Sequence, residues 1–204
     1  MKKRILITGP SGMGKTTLAL KLASEYQVPF LNVSIMDKVC KCYGIKNHLQ
    51  LIEFSKKDPN KGSLLQLELL AHRQILFGNH YKSGFVTDRG HIDSLVYSSD
   101  QVSRYMDNST PFDQVMLKKA YAMSRLFTHI IFIPYLDGWE IEDNGVRIVD
   151  AHYQKRISNS YVSIITQLKN MSGVSDDHLP SYLTLEDMDI EGRLNKCRLF
   201  IETF

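Results

Sequence analysis

Short apolar runs alternate along the chain with longer stretches in which apolar residues recur at helical spacing. Arg4-Ile5-Leu6-Ile7-Thr8 is the first such run and suits a strand buried on both faces; the helical stripe of Thr16-Thr17-Leu18-Ala19-Leu20-Lys21-Leu22-Ala23 follows it closely. The same pattern predicts strands over 5–8, 29–33, 85–88, 130–134 and 182–185, and helices over 15–26, 63–80, 111–126, 151–170 and 187–201. A parallel sheet with crossover helices requires this alternation. The expected fold class is therefore α/β, a doubly wound parallel sheet of about five strands flanked by helices. No repeat, low-complexity tract or linker divides it, so residues 1–204 read as a single domain.

Two insertions interrupt the rhythm, residues 35–62 after the second strand and 135–149 after the fourth. Both follow the carboxyl ends of strands, where open α/β sheets bind ligands. The first is a candidate substrate cap and the second a candidate lid.

Composition adds bounds. A chain of 204 residues with 43% hydrophobic and 23% charged positions can bury one sizeable α/β core and belongs with globular proteins. A net charge of +3 is too small to argue for a nucleic-acid partner, and the cluster Lys56, Lys57 and Lys61 reads as a solvated loop. No apolar stretch approaches about 18 residues and the first strand begins at once, so no membrane span is expected and a cytoplasmic setting is. Cys40 and Cys42 form C-x-C with only Cys197 elsewhere, which is neither a zinc spacing nor a disulfide framework.

The chemistry is concentrated at residues 9–16, Gly-Pro-Ser-Gly-Met-Gly-Lys-Thr, which fit the phosphate-loop pattern G-x-x-x-x-G-K-[ST] between strand and helix. Gly9, Gly12 and Gly14 permit a tight loop whose backbone N–H groups converge on phosphate oxygens, and the helix that follows directs its positive end at the same anion. Ser11 and Met13 complete the loop. Lys15 would reach the terminal phosphates, Thr16 would ligate magnesium, and Thr17 would support the first helical turn. The second informative segment is Phe85-Val86-Thr87-Asp88-Arg89-Gly90. If this strand lies beside the first, Asp88 comes near Thr16 and the metal while Arg89 faces the phosphoryl acceptor.

On these residues the sequence resembles the phosphate-loop kinases typified by the nicotinamide-ribose kinase domain, together with related small AAA-like ATP-binding domains. The resemblance rests on Ile7-Thr8-Gly9 leading into the loop, on the run from Thr87 to Tyr97 with its Asp-Arg-Gly-x-x-Asp pattern, and on Phe132-Ile133-Pro134 followed later by Gly145-Val146-Arg147. It implies that Lys15 and Thr16 hold ATP and Mg2+, that Asp88 serves the metal or the acceptor hydroxyl, and that Arg89 neutralises the transferred group. Arg147 would close over the site from the lid, with Arg156 on the next helix as a second cation. The segment Gly138-Trp139-Glu140-Ile141-Glu142-Asp143-Asn144 is this chain's departure from the group.

Four residues carry two readings each. Arg73 and Gln74 follow a leucine-rich helical stretch in the region from which nucleotide kinases read phosphate and base, or are polar side chains facing solvent. Asp37 could orient a hydroxyl of the acceptor or help to start a short helix. Trp139, the single tryptophan, could stack on a base or anchor its loop. His91 reads as structural. The expected function is magnesium-dependent transfer of the γ-phosphoryl of ATP to a nucleoside or nucleotide-like acceptor, in a monomer or homodimer. A kinase of a hydroxyl on DNA and a nucleotide-dependent regulatory ATPase are the alternatives.

Overall fold

The computed structural model describes residues 2–33, 35–46, 48–105, 111–139, 141, 149–171, 179–187 and 189–203. Four parallel strands form one sheet in the order β2-β1-β3-β4: β1 is Arg4–Thr8, β2 Phe85–Thr87, β3 His129–Phe132 and β4 Ser181–Thr184. The expected fifth strand is reduced to a single pairing, Phe30 with Val86, supported by Leu31 N–H on the Val86 carbonyl at 2.8 Å and Val86 N–H on the Pro29 carbonyl at 3.0 Å. Pro29 has no N–H to give to a ladder, which suits it to the sheet edge it occupies.

Side chains alternate between the two faces of the sheet, and both faces are covered. Ile5, Ile7, Val86, Ile131 and Ile133 point to one layer, built from α1 (Lys15–Glu25) and α8 (Ile190–Thr203). Leu6, Phe85, Ile130 and Phe132 point to the other, built from α4 (Pro59–Asn79), α5 (His91–Tyr105), α6 (Pro111–Ser124) and α7 (Ala151–Met171). Phe77, Phe85 and Phe127 interlock in this second layer with ring centroids 5.2–5.6 Å apart, each pair contributing about 0.5–1.5 kcal/mol beyond its buried area.

Insertion 35–62 is helical: α2 (Ile35–Cys42), α3 (His48–Lys57) and the first turn of α4, where Asp58 caps the helix by accepting from Lys61 N–H at 3.1 Å and Pro59 takes the first helical position. Val39, Cys40, Ile45 and Leu51 pack on Leu65 and Leu69 of α4 as a small separate core. Helix α5 was not expected. Among the described residues no helix is long and apolar enough to cross a membrane.

Candidate active site

The register of the sheet assembles the site. Leu6 pairs with Thr87 and Thr8 with Phe132, so the ends of β1 and β2 lie side by side and release the phosphate loop and Asp88 at the same edge. Gly9, at φ 142°, passes so close to β3 that a Cβ would lie 2.1 Å from the Ile133 carbonyl oxygen. Gly14, at φ 75°, turns the chain into α1, a conformation that side-chain-bearing residues rarely adopt. Lys15 is buried, and its ammonium donates to the Pro10 carbonyl inside the loop. Met13 is buried, Ser11 half-buried, and Thr16 and Thr17 exposed on the first turn of α1. The Thr16 hydroxyl donates to the Asp88 carboxylate.

Asp93, in the first turn of α5, organises the turn that follows Asp88. It is 2% exposed and all four of its lone-pair positions are used. Oδ2 accepts from Thr8 Oγ1 at 3.0 Å and Gly90 N–H at 2.7 Å; Oδ1 accepts from Arg89 Nη1 at 3.1 Å and the Tyr161 hydroxyl at 2.8 Å. Burial works to raise its pKa, but the charges of Arg89, Arg73 and Lys15 and the Tyr161 hydrogen bond outweigh it and hold the carboxyl below its ordinary range. Burial works equally against the Arg89 cation, yet Tyr97 and Asp93 push its pKa well above the ordinary value. Tyr161 is held protonated by burial and by the Asp93 anion.

Arg73 braces the same turn from α4. Its Nη1 donates to the Gly90 carbonyl at 2.9 Å and to Ser94 Oγ at 2.6 Å. Gly90 is thus fixed by its N–H on Asp93 and by its carbonyl on Arg73, which sets the backbone of Asp88-Arg89-Gly90. Gln74 is exposed, one position and so about 100° around α4 from buried Arg73. The structure therefore does not bring these two together.

The remaining candidates are dispersed. Trp139 is half-buried against the phosphate loop, its indole N–H donating to the Gly12 carbonyl at 3.0 Å. Arg156 is exposed on α7 with its guanidinium 5.3 Å from the Tyr153 ring centre. Asp37 is carried by α2, its side chain outside the described residues; Arg147 and residues 140 and 142–148 of the expected lid lie outside them too. Lys56 and Lys57 close α3, and Lys61 pairs with Asp58 at 3.3 Å. Asp93, Tyr161 and Arg193 had no assigned role in the sequence reading. A signal existed for α5, since Ile92, Leu95 and Val96 hold helical spacing directly after Gly90.

Thr16 and Asp88 present two adjacent hard oxygen donors at the mouth of the loop, a set that fits a magnesium ion whose other ligands are phosphate oxygens and water. Among the described residues no group of three or more His, Cys, Asp or Glu could hold a metal by itself. Asp93 lies within electrostatic reach of Arg89, Arg73 and Lys15, and Arg73 within reach of Asp88; three cations against two carboxylates is a balance that favours an incoming anion.

A glycine-rich loop from β1 into α1, with an acid delivered beside it by the neighbouring parallel strand, defines a phosphate-loop nucleotide-binding fold. Solved structures share it. A NadR protein in complex with NR matches with a TM-score of 0.58 at 18% identity over 95% of this chain, which spans only 51% of that protein. Thymidylate kinase from Candida albicans matches with 0.57 at 14% identity over 99% of this chain and 92% of its own. Shikimate kinase from Acinetobacter baumannii matches with 0.52 at 11% identity over 100% and 94%. No curated protein matches in sequence. Residues 4–171 match the AAA domain family, and the chain belongs to it.

Proposed function

We propose that the chain is an ATP- and magnesium-dependent phosphotransferase that moves the γ-phosphoryl group to a nucleoside or nucleotide-like acceptor. The observation that carries this reading is the contact between Thr16 and Asp88 with Arg89 held beside it by Asp93. Within this reading the oxygen pair would hold the metal, and Arg89 would meet the terminal phosphate as it passes to the acceptor.

The loop amides and Lys15 would bind the polyphosphate, and Lys15 would carry part of the charge that develops on the bridging oxygen. Magnesium, when bound, supplies electrostatic neutralisation of the phosphates. Arg89 would face the equatorial oxygens of the transferred group from the acceptor side, and Asp93, its partner, keeps it there. Transfer forms the bond from acceptor oxygen to phosphorus and breaks the bond from phosphorus to the bridging oxygen, ADP leaving and a hydroxyl acceptor's proton passing to water, so the protein's contribution is positioning and charge compensation. Arg147, Arg156, Asp37 and Gln74 are assigned to closing or acceptor roles within this reading. Helices α2 and α3 are assigned to the acceptor cap. The fold shared with a thymidylate kinase and with a NadR protein bound to NR supports a nucleoside-like acceptor.

The test is incubation with γ-labelled ATP, magnesium and a panel of nucleosides, nucleoside monophosphates, nicotinamide riboside and DNA, with the labelled product resolved. Label in a small-molecule nucleotide supports the reading. Label in DNA, or in free phosphate alone, overturns it.

A further inference from the structure

The outer side of the phosphate loop is held by two side chains distant in sequence. Arg193, on α8, is 1% exposed and donates from Nη1 to the Met13 carbonyl at 2.6 Å and from Nε to the Asp187 carbonyl at 2.7 Å. Its guanidinium lies 4.5 Å from the Trp139 ring centre, and the Trp139 indole N–H donates to the Gly12 carbonyl at 3.0 Å. Gly14 is hemmed in by the same pair, since a Cβ there would lie 3.2 Å from Arg193 Nη1 and 3.8 Å from Trp139 Cζ2.

Peptide planarity converts these two contacts into a statement about the inside of the loop. Across a trans peptide the carbonyl of one residue and the N–H of the next point in opposite directions. A Gly12 carbonyl turned out toward Trp139 turns the Met13 N–H in. A Met13 carbonyl turned out toward Arg193 turns the Gly14 N–H in. A hydrogen bond accepted by a carbonyl also polarises its own amide, and a cationic donor does so most, so each N–H becomes a stronger donor to an anion.

Stability alone is a poor account of Arg193. Burial lowers its pKa, and Nη2 is buried with no hydrogen-bond partner among the described residues. An apolar side chain of similar size would avoid both penalties and would forfeit only the two donors, to the Met13 and Asp187 carbonyls, of which the first is the one that bears on the loop.

We propose that Arg193 and Trp139 are positioning residues for phosphate binding, acting through the 12–13 and 13–14 peptide groups to aim and strengthen the Met13 and Gly14 donors. The proposal rests on the phosphotransferase reading and assigns Trp139 to the phosphates instead of the base. It predicts that the pair governs affinity for any polyphosphate, whatever base is attached.

The experiment is calorimetric titration of the full chain with magnesium tripolyphosphate and, separately, with magnesium ATP. It compares the wild type with Trp139→Phe, which keeps a ring but loses the N–H, and with Arg193→Met and Arg193→Lys. The expected result is about tenfold weaker binding of both ligands for Trp139→Phe and Arg193→Met, a factor corresponding to about 1.4 kcal/mol, with Arg193→Lys in between. The KM for ATP rises by the same factor while kcat and the acceptor KM hold. Should Arg193→Met fail to fold, Trp139→Phe and Arg193→Lys carry the test. Unchanged binding, or loss for ATP with tripolyphosphate unaffected, overturns the proposal and leaves the phosphotransferase reading standing. A wild type that binds neither ligand overturns both.

Discussion

Thr16 and Asp88 are 72 positions apart in sequence, and a hydrogen bond from the hydroxyl of the first to the carboxylate of the second ties the phosphate loop to the neighbouring strand. The contact exists because β2 pairs with β1 in parallel register, so that Asp88, one residue beyond the strand, arrives beside the first turn of α1. Asp88→Asn keeps an oxygen for Thr16 and removes the charge. The expected outcome is a fall in kcat of about 10²-fold or more with the melting temperature nearly unchanged, read by steady-state kinetics and calorimetry. Wild-type turnover in the folded variant would remove Asp88 from the chemistry.

Lys15 is buried within the loop on the Pro10 carbonyl, so its ammonium needs little rearrangement to meet a phosphate. Lys15→Ala should abolish phosphoryl transfer while circular dichroism and melting remain close to the wild type. Substantial activity in a folded variant would refute the role.

Asp93 satisfies four donors from four parts of the fold, namely Thr8, Arg89, Gly90 and Tyr161. Asp93→Ala leaves the Arg89 cation and two hydroxyls without their acceptor. Its expected cost is about 3–5 kcal/mol in urea unfolding, the range for breaking a buried pair from one side. Asp93→Asn, which keeps one oxygen, should cost less. A change under about 1 kcal/mol for the alanine variant would show that Asp93 does not hold the turn together.

Two glycines separate sterics from backbone conformation. At Gly9 an added methyl meets the Ile133 carbonyl at 2.1 Å, and neither backbone can move without breaking the pairing of β1 with β3. Gly9→Ala should cost about 3 kcal/mol or more. Gly44 also has positive φ, 69°, but open space around it, so Gly44→Ala should cost only the conformational penalty of about 1–2 kcal/mol. Equal losses at the two positions would contradict the proposed close approach.

These contrasts mark what a sequence displays and what it withholds. The loop, β1 and the Asp88-Arg89 pair are local: apolar alternation, a fixed motif and one strand end suffice to find them. The fifth strand was overestimated because 29–33 has strand-like composition while its ladder depends on Pro29, which has no donor. Helix α5 was missed because its apolar positions Ile92, Leu95 and Val96 are interspersed with His91, Asp93, Ser94, Tyr97 and Ser98, so the stripe is short and polar residues dominate the segment. Arg193 was harder to see. It interrupts the apolar stripe of Leu194, Cys197 and Ile201 on a helix whose neighbour in space, the phosphate loop, lies 180 positions away, so only the folded chain assigns it a partner.

Two buried histidines make stability depend on pH in a range where few other groups titrate. Burial lowers His91 to about 3, and it lowers His129 to about 4 with help from Lys3 and Arg4, against an ordinary value of 6.5. Below pH 6.5 the unfolded chain binds protons that the native state refuses, so stability rises with pH there and falls as acid is added. Each histidine contributes a slope of up to about 1.4 kcal/mol per pH unit between 6.5 and its native value. Asp93 is shifted the other side of this window. Its carboxyl is held below the ordinary range, so its stabilisation is complete above that range and is lost only as the pH falls through the native value. Denaturant midpoints measured from pH 7 to 4.5 should therefore decline steadily. His91→Phe, which keeps a ring on Phe127 and leaves Ser124 Oγ its bond to the Ala120 carbonyl, should remove about half of that slope. An undiminished slope in the variant would mean that His91 is protonated in the native state, and that the Ser124 contact at 2.9 Å is made by an imidazolium donor instead of a neutral ring.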